Sequence, residues 1–180
     1  MDLRITRYIE LLKAYNEHTN VYSANAYDRL DFHIQDCLHL AALIGNNPLR
    51  VLDIGSGSGF PSVILAICNS KNRVRAVESK SRKTRFLSHV KNELNLTNYE
   101  VITCNIVEYA RSKAAKAEVI TAKAFGSLEK VIKVSGPLRK EKAQIWIPIS
   151  KAQADAINDQ YARIITRDGF YYVCWDHTHV

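Results

Sequence analysis

Glycine and proline are scarce in this chain, 7 and 4 of 180 residues, too few for a collagen-like repeat or an unstructured linker. Cysteine is sparse as well: Cys37, Cys68, Cys104 and Cys174 stand far apart, with no CxxC pair and no Cys/His cluster. That spacing offers no metal site and no disulfide framework, and it fits a reduced, cytoplasmic setting. No apolar run approaches the ~20 residues of a bilayer-spanning helix. Charges at Asp2, Arg4 and Arg7 stand where a signal peptide needs an apolar stretch, so a soluble protein without a membrane partner is expected. Acidic residues are the other shortage. Eighteen Asp and Glu face 25 Lys and Arg, a net charge of +7.

What is present is an ordinary globular mixture, 47% hydrophobic and 24% charged. The length suits one domain over 1–180, read as N-terminal helices (1–47), an α/β core (48–150) and a C-terminal helix with a possible strand pair (151–180). Much of the positive excess is local. Lys71, Arg73, Arg75, Lys80, Arg82, Lys83, Arg85 and Lys91 surround one acid, Glu78, and a second cluster holds Lys130, Lys133, Arg139, Lys140 and Lys142. Such faces suit a phosphate backbone, and a merely solvated helix surface fits the composition equally well.

Ile5, Tyr8, Ile9, Leu12 and Tyr15 recur at helical spacing, as do Leu30, Ile34, Cys37, Leu38 and Ala41. After Pro48 the pattern changes to short apolar strands, Val51–Ile54, Arg73–Val77, Val101–Ile102, Val119–Ile120 and Ile145–Ile147, alternating with helical stretches. Ser81–Leu94 is one of these, with Phe86, Leu87, Val90 and Leu94 on its inner face and Arg82, Lys83 and Arg85 expected outward. The alternation predicts a Rossmann-like α/β fold, a mostly parallel sheet with helices on both faces. Ile164–Ile165 and Phe170–Trp175 flank Arg167-Asp168-Gly169, a hairpin signal.

The densest signal is Val51-Leu-Asp53-Ile-Gly55-Ser-Gly57-Ser-Gly59-Phe60-Pro61. A strand runs into three alternate glycines and then a helix. Glycine is needed where backbone turns sharply and where a ligand must lie against it. A dinucleotide fingerprint would need glycine at position 60 or 62, which hold Phe60 and Ser62, and no Gly-Lys pair exists for a phosphate-binding Walker loop. The pattern D-x-G-x-G-x-G is that of S-adenosylmethionine-dependent methyltransferases. Glu78 ends the next strand, where its carboxylate can accept from both ribose hydroxyls. His33 and Asp36, three apart on a helix, are read as structural or cofactor-gating. His18, His39, His89, His177 and His179 are read as surface or packing residues.

Tyr15-Asn16, Asn20-Val21-Tyr22, His33 with Asp36, Gly55 to Pro61, Glu78-Ser79 with Lys83 and Phe86-Leu87, and Ala122-Lys123-Ala124-Phe125 occur in this order. Together they resemble the GidB-type family, the small-subunit (16S) rRNA guanine-N7 methyltransferases, over roughly Tyr8 to Trp146. The resemblance implies a class I methyltransferase fold, S-adenosyl-L-methionine as cofactor and methyl transfer to N7 of guanine 527. It implies 16S rRNA or the small ribosomal subunit as partner; a monomer is expected. Gly55, Gly57, Gly59 and Phe60 then form the cofactor loop and Glu78 the ribose-binding acid. Backbone groups of Ile106 and Val107 flank the adenine. Lys123 stands at the family's active-site arginine, facing cofactor and reaction. Arg82, Lys83, Arg85, Arg139 and Lys140 are the expected RNA contacts. Two departures stand beside Lys123: Pro148-Ile149 replaces a Lys-Gly pair, and the chain reaches Val180 without the expected basic final strand. A catalytically impaired RNA-binding relative and a small-molecule methyltransferase are the competing expectations.

Overall fold

The computed structural model describes residues 2–112 and 114–176; His177 and His179 lie outside them. Two helices come first, α1 (Leu3–Asn16) and α2 (Leu30–Ile44), joined through a short 3-10 turn at Ala24–Arg29. The core follows as β1 (Arg50–Ile54), α3 (Ser62–Cys68), β2 (Arg73–Glu78), α4 (Ser81–Glu93), β3 (Tyr99–Thr103), α5 (Ile106–Arg111), β4 (Ala117–Thr121), α6 (Leu128–Ser135) and β5 (Arg139–Ile149). Then come α7 (Lys151–Ala156), β6 (Ala162–Arg167) and β7 (Phe170–Trp175).

The strands form one sheet in the order β3-β2-β1-β4-β5-β7-β6. The first five are parallel, and β7 pairs antiparallel with both β5 and β6. This is the mostly parallel sheet expected from the alternation, with the strand pair formed across Asp168-Gly169. The strand order reverses beside β1, between β2 and β4, so a crevice opens at the carboxyl ends of these strands. Two apolar layers flank the sheet. One packs Tyr8, Leu12, Leu40, Ile64, Phe86 and Val90 from α1 to α4 on one face. The other packs Leu52, Ile54, Ile120 and Ile145 under Ile106 and Val131 of α5 and α6.

Local chemistry explains the ends of these elements. Asp2 caps α1 by accepting from the Arg4 amide at 2.9 Å. Ser150 and Gln153 form a reciprocal capping box on α7. β5 is much longer than the apolar Ile145–Ile147 that marks it in the sequence. Its first half, from Arg139, is polar and pairs irregularly with β4 beyond Ala117, which hides it from an alternation reading.

Candidate functional site

The loop after β1 is built by hydrogen bonds from its neighbours. The Gly55 and Ser56 amides donate to the Val77 carbonyl of β2, and the Tyr8 hydroxyl of α1 donates to the Ser58 carbonyl at 2.7 Å. Gly57 has φ of 58°, and a Cβ there would meet nothing closer than 3.8 Å, from the Gly55 carbonyl and the Lys83 ammonium. Empty space above a left-handed residue is a cradle for a ligand. Gly59 differs: its Cβ would strike Val63 at 2.6 Å, so this glycine serves close packing of loop on helix. Asp53, buried beneath the loop, accepts from the Thr121 hydroxyl at 2.9 Å; burial raises its pKa to about 6 against the pull of its hydrogen bonds.

Glu78 is 7% exposed at the end of β2. One carboxylate oxygen accepts from the Gly57 amide at 3.0 Å and the other from the Lys80 amide at 2.9 Å. It borders a cavity of about 300 Å³ together with Gly55, Asn105, Ile106, Val107 and Phe125. The Val107 amide is taken by the Asn105 side chain, which caps α5 at 2.9 Å. Cradle, acid and α5 thus meet as the sequence suggests.

A second cavity, about 310 Å³, shares Gly55 with the first and is bounded by Tyr22, His33, Gly57, Phe60, Lys83 and Lys123. Lys83 corrects an expectation. It does not point outward with Arg82 and Arg85, because it lies three, four and seven residues before Phe86, Leu87 and Val90 and so shares their buried face. At the first turn of α4 that face has run past the sheet, and the ammonium arrives over the glycine loop. Asn16 shapes the opposite wall: its Oδ1 accepts from the Val21 and Tyr22 amides at 2.9 and 3.0 Å, while its Nδ2 donates to the Tyr22 carbonyl.

The third cavity, about 490 Å³, shares His33, Lys123 and Ala124 with the second and extends under Arg29, Asp36, Pro148 and Ile149. At the junction Lys123 Nζ donates to Asp36 Oδ2 at 2.5 Å, an ion pair with both side chains largely buried. His33 and Asp36 therefore do not pair with each other. Asp36 is fixed by Lys123 and, through its carbonyl, by the Tyr172 hydroxyl of β7 at 2.9 Å. Burial, then Lys123 and Arg29, lowers the His33 pKa, which keeps the imidazole neutral at pH 7.

Of the residues expected at the site, Gly55, Gly57, Phe60, Glu78, Ile106, Val107, Lys83 and Lys123 line these adjoining cavities, and Gly59 stands just behind. Arg82 and Arg85 lie exposed on the first turns of α4. Arg139 and Lys140 are elsewhere, at the start of β5 and the amino end of the sheet. Arg139 stacks over Trp175, 4.7 Å from the ring centre, and Lys140 pairs with Glu118 at 2.6 Å. Two partnerships escape a reading of the sequence, Asp36 with Lys123 and Asp53 with Thr121. The first has no local signal, being a contact across 87 residues. Asp53 stands in the motif itself.

Among the described residues, no helix is long and apolar enough to cross a membrane. The architecture and cradle define the class I S-adenosylmethionine-dependent methyltransferase fold. It superposes on a methyltransferase from Geobacter sulfurreducens with a TM-score of 0.64 over 98% of this chain and 96% of that one, at 12% identity. A SAM-dependent methyltransferase from Aquifex aeolicus gives 0.61 over 83% and 92%, at 16% identity. Sequence narrows this further. The family model GidB, described as rRNA small subunit methyltransferase G, matches residues 2–174, and the chain belongs to that family. Curated relatives named "Ribosomal RNA small subunit methyltransferase G" include those of Fusobacterium nucleatum, 34% identical over 85% of this chain and 66% of that protein, and Laribacter hongkongensis, 32% identical over 86% and 72%. The chain thus spans about two thirds of the length of such relatives.

Proposed function

We propose that this chain transfers a methyl group from S-adenosylmethionine to N7 of a guanine in small-subunit rRNA, at the position 527 that the family resemblance implies. The observation that carries the reading is the series of three adjoining cavities, which share first Gly55 and then His33, Lys123 and Ala124. A nucleoside, an amino-acid chain and an acceptor base need three such spaces in this order.

The residues fit the cofactor. Glu78 borders the first space, where its carboxylate can accept from two ribose hydroxyls, and the backbone of Ile106 and Val107 would flank the adenine. The bare face of Gly57 leaves room for the methionine part, with the Lys83 ammonium beside it for a carboxylate. Bound there, S-adenosylmethionine supplies an electrophilic methyl group on a sulfonium. Guanine N7 carries a free lone pair at neutral pH, so the protein has no proton to remove. Its task is alignment of donor and acceptor, and tolerance of the positive charge that passes to the base. Lys123 at the junction would oppose that charge if it stood alone. Asp36 balances it, with its own backbone tied to β7 by the Tyr172 hydroxyl.

The direct test incubates purified protein with isotopically labelled S-adenosylmethionine and unmodified 16S rRNA, free or in small subunits, and reads N7-methylguanosine by mass spectrometry. Incorporation at one guanine is expected; none with either substrate overturns the reading. The catalytically impaired relative is favoured by one observation, the lysine bound to Asp36 where the family carries arginine. Ammonium is a point charge without the planar fork of guanidinium. Methylation that appears only in a Lys123→Arg variant would decide for it.

A further inference from the structure

A further cavity lies at the other end of the sheet. About 650 Å³ in volume, it is bounded by Arg50, Lys71, Arg73, Arg75 and Lys91, with Glu100 as the one acid among its lining residues. Its origin is the shortness of α5. Six residues of helix span about 9 Å, while strands of five or six residues run about 17–20 Å. Beneath α5 and α6 the sheet face carries Leu52, Ile54 and Val77. Arg50, Arg73 and Arg75 stand on that same face, two or four residues before those core positions, where the helices no longer reach.

The register makes their grouping unusual. Arg50 is the direct neighbour of Arg73 across β1 and β2, and like charges placed opposite each other in a sheet are destabilising. Among the described residues, none of the five cations forms an ion pair within 4 Å. Glu118, the nearby acid on β4, is engaged by Lys140 and the Arg50 amide. Arg75 is held in place by neutral acceptors only, the Tyr109 hydroxyl at 2.6 Å and the Ala115 carbonyl. Its orientation is fixed, and although Glu100 is its neighbour across β2 and β3 it forms no ion pair.

From this we infer a second RNA-binding site, a concave seat for backbone phosphates at the amino end of the sheet, remote from the glycine loop. The inference rests on the reading of RNA as substrate. Closely spaced guanidiniums that outnumber the nearby acids and form no ion pair suit phosphate oxygens, and a phosphodiester chain supplies several in a row. Lys91, in the last turn of α4, adds to the seat, while Arg82 and Arg85 sit at that helix's other end. An RNA touching both ends would be gripped at the reacting base and again at a distance.

The test compares wild type with an Arg50→Gln/Arg73→Gln variant. RNA affinity for a fluorescent small-subunit rRNA fragment is measured across a potassium chloride series, and S-adenosylhomocysteine affinity by calorimetry. With two fewer phosphates neutralised, the slope of log affinity against log salt should flatten by about 1.4–1.8, with cofactor affinity unchanged within twofold. Removing the like-charge pair should leave the melting temperature equal or higher; should the double variant not fold, Arg50→Gln alone is read, with half the change in slope. An unchanged slope overturns the inference. So does a cavity that answers only to small anions, seen as inorganic phosphate raising the melting temperature of wild type but not variant while RNA binding stays unaltered. Failure of methylation by wild type would instead strike the proposed function, because the phosphate seat is read from binding alone.

Discussion

Glu78 and Gly57 act as a unit, since the carboxylate accepts from the very amide whose missing side chain forms the cradle. Glu78→Ala therefore removes an acceptor from the ribose and a tether from the loop. Cofactor affinity should fall by about 1–3 kcal/mol, measured by calorimetry with S-adenosylhomocysteine; an unchanged constant would reduce Glu78 to loop support. Gly57→Val is the harsher change. A branched side chain at φ of 58° is strained and would fill the space reserved for ligand. Binding should vanish while far-ultraviolet circular dichroism stays close to wild type. Retained binding in that variant would put the ligand elsewhere.

At the scale of elements, the proposed function gives α4 two roles on two faces. Lys83 points with Phe86 and Val90 toward the loop, whereas Arg82 and Arg85 face solvent. Lys83→Ala should weaken cofactor binding and leave the salt dependence of RNA binding alone. Arg82→Ala with Arg85→Ala should do the reverse, flattening the salt slope by nearly one for each phosphate no longer neutralised. Paired titrations on both variants check this, and equal effects would contradict the division. The helix also marks how much of the fold is legible in the sequence. Its boundaries and apolar face can be read from spacing, and the same spacing places Lys83 inward, although its charge alone argues for solvent. The loop and Glu78 are readable because each lies in or just after a strand with a local pattern, whereas Lys123 is marked only by the family resemblance. The Asp36–Lys123 pair is not, since α2 meets β4's end only through the fold. Nor is the seat of Arg139 and Lys140, because the polar first half of β5 carries no alternation to betray a strand.

For the whole molecule, the buried Asp53 ties stability to pH. Its folded pKa of about 6 lies above the carboxyl's ordinary 3.8, so the folded state binds the proton more tightly. The stabilisation this gives is full below about pH 3.8 and is lost as pH rises through 6. Between pH 5 and 8 wild type should lose ~1.4 kcal/mol relative to Asp53→Asn, read from urea unfolding of both; a constant difference would mean that Asp53 is charged throughout. A different coupling starts at Tyr8, whose hydroxyl bonds the Ser58 carbonyl. If ligand binds only when α1 is docked on the loop, then by linkage ligand must also hold α1 down. At a hundredfold excess over its dissociation constant it can raise the opening free energy of α1 by up to ~2.7 kcal/mol. In hydrogen exchange, the amides of Leu11 and Leu12 should slow by as much as about a hundredfold on adding S-adenosylhomocysteine, and those of β6 at the far sheet edge should not. The N-terminal helix would then report occupancy of a site that it only braces, and amides that ignore the ligand would show that α1 opens without disturbing the loop.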